Sequence, residues 1–370
     1  MQKEHVIVYR EARKFGGWPA NYGMWIWGDE IVVGFTQCTQ DASVGPDLHT
    51  RDRSKPAVPT QARSLDGGRR WQAVPIPAPS PDGRGFSADE HMLEEMRVAR
   101  AIEQGLEPLP RPYAGGIDFT SPDFAMMCAR TGLGAGTKAW FYLTDDCAQT
   151  WQGPFSLPTF GEAGIEARTD YIVNGPQDCM IFLTASAANG REGKGVFMAR
   201  TTDGGKNFQK VSWITSSETE QLIMPGSVRV DEKTILTAVR CRQLTGEKTK
   251  QATWIDLYES TDNGASFHHL NRPVPDAGRS GNPPALTKLH DGRICLVYGY
   301  RKVPFGIRAR LSEDNGRSWG EVIHLRDDGG AADLGYPRTV QRADGTLVTA
   351  YYFNDHPDTE RYIAATLWKP

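Results

Sequence analysis

Ser64-Leu-Asp66-Gly-Gly68-Arg-Arg-Trp71 is the first of five copies of one phrase, Ser/Thr-x-Asp-x-Gly-x-x-Trp/Phe. Three more run Thr201-x-Asp203-x-Gly205 to Phe208, Ser260-x-Asp262-x-Gly264 to Phe267, and Ser312-x-Asp314-x-Gly316 to Trp319. The fifth, Thr144-x-Asp146 to Trp151, has Ala148 where the others have glycine. Short Asp, Ser and Thr side chains bond backbone N–H groups a few residues away and pin a tight turn. Glycine takes positive φ without steric cost, and the closing aromatic packs over the turn as an apolar plug. One copy would be an ordinary Asp-Gly hairpin. Five copies, each after an apolar strand-like run, form an internal repeat, and a repeat dictates the architecture. The first residues stand at 64, 144, 201, 260 and 312, at intervals of 80, 57, 59 and 52. That period suits one four-stranded sheet per repeat. It predicts an all-β, six-bladed β-propeller occupying residues 1–370 as a single domain.

A second pattern runs between the copies: apolar strand, turn, apolar strand. It covers residues 25–35, 227–239, 285–297 through Asp291-Gly292, and 338–351 through Asp344-Gly345. Looser versions lie at 124–143 and 171–185. Asp-Gly between alternating apolar residues is a hairpin signal, so these segments are expected to supply strands 1 and 2 of each blade. The last blade, 338–368, lacks the turn phrase. The N-terminal strand at 5–10 is expected to complete it and remove an open sheet edge. Ser87-Ala-Asp-Glu90 reads as a capping box, and Met92, Leu93, Met96 and Ile102 recur at helical spacing. They predict a helix around 87–105, a peripheral insertion that accounts for the 80-residue interval.

The net charge of −3 offers no support for binding nucleic acid or an anionic membrane. No run approaches the roughly 18 apolar residues that a spanning helix needs. Met1-Gln-Lys-Glu-His5 lacks the apolar core of a signal peptide. Cysteines 38, 128, 147, 179, 241 and 295 are scattered without a CxxC pair, which argues against zinc and points to reduced thiols. A cytoplasmic location is therefore expected, with a secreted protein trimmed of its signal as the alternative. No motif calls for a metal or a cofactor.

In such a ring the strand 1–2 turns and the repeated phrase share one end. The start of strand 1 and the strand 2–3 loop share the other, around the central channel, where sites are built on a rigid scaffold. The residues assigned there are polar and basic. Blade 1 offers Trp18 and the loop with His49 and Asp52, and blade 3 offers Glu166, Arg168 and Asp170. Blade 4 offers Glu220, Met224, Arg240 and Arg242. Blade 5 adds Arg279, Asn282, Arg301 and Arg308, and blade 6 adds Asp333, Tyr336 and Arg338. Several guanidinium forks facing one hollow would clamp a carboxylate.

The repeated phrase resembles the Asp box, and the chain as a whole resembles the sialidase superfamily. That resemblance implies a carbohydrate substrate and an exo-acting glycosidase that removes a terminal acidic sugar. Asp333-Leu-Gly-Tyr336-Pro-Arg-Thr-Val resembles the family's nucleophile strand, which makes Tyr336 the implied nucleophile. Tyrosine nucleophiles are an exception to the two-carboxylate pattern of glycosidases. By the same resemblance Arg240 and Arg301, with Arg308 as rival, hold the substrate carboxylate. Asp52, with Asp47 as alternative, is the acid/base. Two positions depart from the pattern. Gly17-Trp18-Pro19 stands where the family has an Arg-Ile-Pro phrase, and Met224 stands where an acid should assist the tyrosine, leaving Glu220 or Glu218 to reach in. A rival reading takes His49, Tyr336 and arginines as the site of a uronate-polysaccharide lyase or an α-L-rhamnosidase. A third is a non-catalytic glycan-binding propeller with Trp18 as a stacking platform.

Overall fold

The computed structural model describes residues 2–46, 49–55, 57–78, 110–244 and 251–370. The helix expected around 87–105 and the alternative acid/base Asp47 lie outside the described residues. The described chain forms a ring of six antiparallel sheets around a central channel. Blade 1 has a divided inner strand, Lys14–Gly17 and Met24–Trp27, with the helix Pro19–Tyr22 between its halves. Glu30–Thr39, Val58–Ser64 and Gln72–Pro75 follow outward. Blade 3 comprises Tyr171–Gly175, Asp178–Ala185, Gly195–Thr201 and Gln209–Ser216, and blade 4 Glu220–Arg229, Ile235–Gln243, Thr253–Ser260 and His268–Val274. Blade 5 is Ala285–Lys288, Ile294–Tyr300, Phe305–Ser312 and Ile323–Gly329. Blade 6 takes Gly335–Gln341, Leu347–Phe353 and Tyr362–Trp368 from the end of the chain, and Lys3–Tyr9 from its start. Lys3 pairs with Trp368 and Tyr9 with Ile363.

Blade 2 corrects one expectation. Its strands are Ala125–Arg130, Ala139–Thr144 and Gln152–Ser156. The apolar pair within 124–143 is therefore the strand 2–3 hairpin, because the turn phrase at Thr144 follows its second member. Among the described residues this blade has no separate innermost strand.

Six apolar clusters hold the ring, one between each pair of neighbouring blades. Successive side chains of a strand face opposite ways. Thus Ile31, Val33 and Phe35 pack toward blade 6 while Val32 packs toward blade 2. Both faces of strands 2 and 3 are buried, which is why runs such as Ala-Met-Met-Cys-Ala are apolar without alternation.

The five phrase turns share one geometry. In the first, Ser64 Oγ donates to Asp66 Oδ1 (3.0 Å) and accepts from the Gly68 N–H (2.9 Å), while Asp66 Oδ1 takes the Arg70 N–H (2.9 Å). Thr201–Asp203, Ser260–Asp262 and Ser312–Asp314 repeat the first contact at 2.8 Å. In the imperfect copy, Ala148 adopts φ 61° and still donates to Thr144 Oγ1 at 3.1 Å. These backbone bonds lie at the end of the ring away from the residues described next.

Candidate active site

Three blades carry, in or beside their inner strand, a residue of positive φ followed by proline: Trp18-Pro19 (φ 60°), Met224-Pro225 (φ 56°) and Tyr336-Pro337 (φ 53°). Proline pushes the residue before it away from the right-handed α region. The left-handed region costs a non-glycine residue roughly 1–2 kcal/mol. The strand register slips between Ile223 and Gly226 and between Gly335 and Arg338. Such bulges re-aim a side chain out of its ordinary alternation. Here they turn Met224 and Tyr336 to the channel mouth, where Ala20 of the short helix and Ile223 pack against them. The Tyr336 N–H donates to Asn282 Oδ1 (2.7 Å), and Asn282 Nδ2 donates to the Leu334 carbonyl (3.0 Å). Asn282 approaches so closely that a Cβ at Gly335, already at φ 110°, would meet it at 2.4 Å.

Two guanidinium groups flank the phenol. Arg240, in strand 2 of blade 4, donates from Nη1 to the Tyr336 oxygen (3.2 Å) and from Nη2 to the Ser280 carbonyl. Its Nη1 also meets Met224 Sδ at 3.4 Å, a weak acceptor where a carboxylate would be a strong one. Arg301, just beyond strand 2 of blade 5, lies 5.7 Å from the Tyr336 ring centre. It donates from Nε to the Leu334 carbonyl (3.0 Å) and from Nη2 to the Tyr352 oxygen (2.7 Å).

A buried carboxylate stands behind them. Tyr352 donates to Asp333 Oδ1 (2.6 Å), His49 Nδ1 lies 2.8 Å from the same oxygen, and Arg361 Nε donates to Oδ2 (3.3 Å). Burial pushes the Asp333 carboxyl up. The charge and hydrogen bond of His49, then the charges of Arg361 and Arg301, outweigh burial and hold it at about 2. His49 is about a quarter exposed at 28% and is fixed edge-on against Trp18, with ring centres 4.9 Å apart. Burial drives the Tyr352 phenol well above its ordinary range, so this tyrosine stays a neutral donor.

Other sequence-predicted residues lie elsewhere. Asp52 is tied in a local turn, its Oδ1 accepting from the Ser54 N–H (2.8 Å) and Oγ (2.6 Å), and these bonds lower its carboxyl pKa. Among the described residues, no hydrogen bond joins it to Tyr336, Arg240 or Arg301. Glu220 opens its strand opposite Gln243, and its charge acts on Cys241, Tyr258 and Arg272. Arg308 is on strand 3, over the Tyr300 ring at 4.4 Å and paired with Asp327 at 3.1 Å, so the clamp does not include it. Trp18 is 1% exposed and packs on Phe15 at 4.8 Å; a ring so covered has no face to stack on a sugar. Arg168 donates from Nε to Asn21 Oδ1 (2.9 Å), bracing the short helix.

Asp170 lies farther along the channel, in a cavity of about 310 Å³ that Arg338 and Ser227 also line. Burial raises its carboxyl to about 6 despite Arg338 and two bonds from Ser227. Tyr352 and Arg361 were missed by sequence reasoning. Tyr352 had a usable signal: it pairs with Gly335 near the end of its strand 2, the level at which blades 4 and 5 present Arg240 and Arg301. Arg361 had none.

No family model and no curated protein matches the chain. Solved structures do. A Dyadobacter fermentans protein of unknown function is 19% identical with a TM-score of 0.70, over 98% of this chain and 97% of that one. A Penicillium chrysogenum α-L-arabinanase complexed with arabinobiose is 12% identical with a TM-score of 0.58, over 98% and 97%. A Trypanosoma rangeli sialidase in complex with sialic acid is 10% identical with a TM-score of 0.59, over 99% of this chain and 58% of that one. At these identities the likeness is one of fold: a six-bladed propeller.

Proposed function

We propose that this chain is an exo-acting glycoside hydrolase that removes a terminal acidic sugar, sialic acid or a related one, from glycans. The observation that carries the reading is the Tyr336 phenol held at the channel mouth between the buried guanidiniums of Arg240 and Arg301. The fold it shares with proteins named as glycosidases supports the general class. In this reading Arg240 and Arg301 take the sugar's carboxylate, as guanidinium forks do. The phenolic oxygen attacks the anomeric carbon as the bond to the leaving oxygen breaks. The leaving oxygen gains a proton, and the phenol's own proton is lost. Water then cleaves the tyrosyl–sugar bond and returns that proton. Arg240 Nη1 already points at the oxygen on which charge develops, the arrangement that stabilises a transition state electrostatically. Since Asp52 and Glu220 lie outside this cluster, the proton carrier in this reading is His49, oriented by Asp333.

The His49–Asp333 contact also favours a second reading. In a uronate lyase, His49 would take the proton beside the carboxylate while the glycosidic bond breaks to leave a double bond, with arginines neutralising the carboxylate. One panel separates the readings: aryl sialosides, uronides, rhamnosides and arabinosides, together with a uronate polysaccharide. Hydrolysis is expected to release a free reducing sugar and to fall by at least about 10³-fold in Tyr336→Phe. An unsaturated, ultraviolet-absorbing product that depends on His49 would replace hydrolysis with elimination. Retention on a glycan array with neither product would replace both with binding alone.

A further inference from the structure

Among the described residues, one arginine beside the cluster is left without a side-chain partner. Arg242 stands two residues beyond Arg240 on the same strand, so both side chains leave the same face of blade 4. It is 9% exposed, and its side chain makes no hydrogen bond or ion pair among the described residues. Burial, then the like charge of Arg240, pulls its guanidinium pKa down. It lies close enough to Tyr336 for the phenol's charge to act on it. Every other arginine of the cluster has work: Arg240 holds the phenol and Ser280, Arg301 holds Leu334 and Tyr352, and Arg361 holds Asp333. Glu192, on the blade 3 loop, exerts its charge on Arg242 without pairing with it. A buried, unpaired guanidinium beside a second cation is costly unless an anion arrives with the ligand.

We infer that Arg242 is an anion subsite of its own, and that the preferred substrate is a glycan bearing two anionic groups. The first is the carboxylate taken by Arg240 and Arg301. The second is a carboxylate or sulfate within one sugar of it, bound by Arg242. This inference rests on the reading of the site as a carbohydrate site and narrows its substrate class.

The test compares ligands of one size that differ by one charge. Digalacturonate and its monomethyl ester are titrated calorimetrically into the full chain at low salt, with a monosulfated digalacturonate monomethyl ester as the third probe. A charge-assisted contact predicts that the wild type binds either dianion about 10- to 100-fold more tightly than the monoanion. Raising the salt should erode that preference. Arg242→Gln is expected to bind all three probes at the monoanion's level. Arg242→Lys is expected to keep part of the preference, because it retains the charge without the guanidinium fork. Thermal melting controls for folding, and removal of an unpaired buried charge should leave the melting temperature unchanged or raised. Equal binding of the three probes by the wild type, or a preference that survives in Arg242→Gln, overturns the inference. In either case, turnover of a singly charged aryl glycoside would still stand for the function proposed above. Loss of that turnover as well would remove the reading beneath it.

Discussion

Replacing Asp333 by Asn tests whether one buried carboxylate organises the site. The side chain is 2% exposed and serves His49, Tyr352 and Arg361 at once. Asn preserves an acceptor for Tyr352 but turns an amide donor toward Arg361 Nε, itself a donor on a side chain with no exposed surface. Breaking a buried pair on one side costs about 3–5 kcal/mol, and that is the expected loss at pH 7. The pH dependence follows from the carboxyl being held at about 2 in the fold, against an ordinary 3.8. A depressed pKa gives stability that is complete above the unfolded value and lost as pH falls through the folded one. The separation is worth about 2 kcal/mol at neutral pH, of which about 1 kcal/mol is gone by pH 3. Urea unfolding of both proteins at pH 7, 4 and 3 is the assay. The gap between them should open at about 3–5 kcal/mol and narrow by about 1 kcal/mol at pH 3. A gap below about 1 kcal/mol at pH 7, or one that stays constant down to pH 3, would refute the view that Asp333 is ionised and bound as described.

Arg301→Met should lower kcat/KM on a singly charged glycoside by about 10²-fold, because it removes both the proposed carboxylate fork and the brace on Tyr352; steady-state kinetics check it. Arg308→Gln should leave kcat/KM within about twofold, since Arg308 is occupied by Asp327 and Tyr300; a large loss would put it back in the clamp. Asp314→Ala should cost about 1–2 kcal/mol in chemical denaturation and leave the rate unchanged, because Asp314 bonds its own turn through Ser312 and Ser318. Deleting residues 1–9 bares the edge of the strand Tyr362–Trp368, and light scattering should show association of the shortened chain.

Most of the fold was legible because each turn phrase carries its own bonding instructions. Ser64, Asp66 and Gly68 need only one another to close, and the four later copies repeat those contacts with no help from distant sequence. Blade 2 departs from expectation where that locality fails. The apolar pair within 124–143 looks alike as strands 1–2 or 2–3, and only its position before Thr144 resolves the choice. Candidate site residues divide by the same logic. Tyr336, Arg240 and Arg301 meet because each occupies a defined level of a repeated blade. Asp52 and Glu220 rest on the resemblance alone, which says nothing about where a loop or a strand end aims its carboxylate. Asp52 turns back on Ser54, and Glu220 sits at the end of its strand opposite Gln243.

The positive-φ residues explain why the blades differ at the one level where chemistry needs them to differ. Met224 and Tyr336 each precede a proline inside a strand bulge, while Trp18 precedes the proline that opens the short helix Pro19–Tyr22. The backbone strain is therefore a property of the scaffold, while the side chain at that level is free to vary. Blade 1 fills it with a buried indole that holds His49, and blade 4 with a thioether that leaves Arg240 for the phenol. Blade 6 fills it with the phenol itself. Met224→Glu probes this independence. It would set a carboxylate on Arg240 Nη1, 3.4 Å from where sulfur now sits, and compete with Tyr336 for the same N–H. If the phenol needs an assisting acid, the variant should gain hydrolysis of an aryl sialoside. If Arg240 is the activating group, it should lose hydrolysis by about tenfold or more, because a carboxylate draws a guanidinium more strongly than a phenol does. An unchanged rate would mean that neither the thioether nor the arginine acts on the tyrosine.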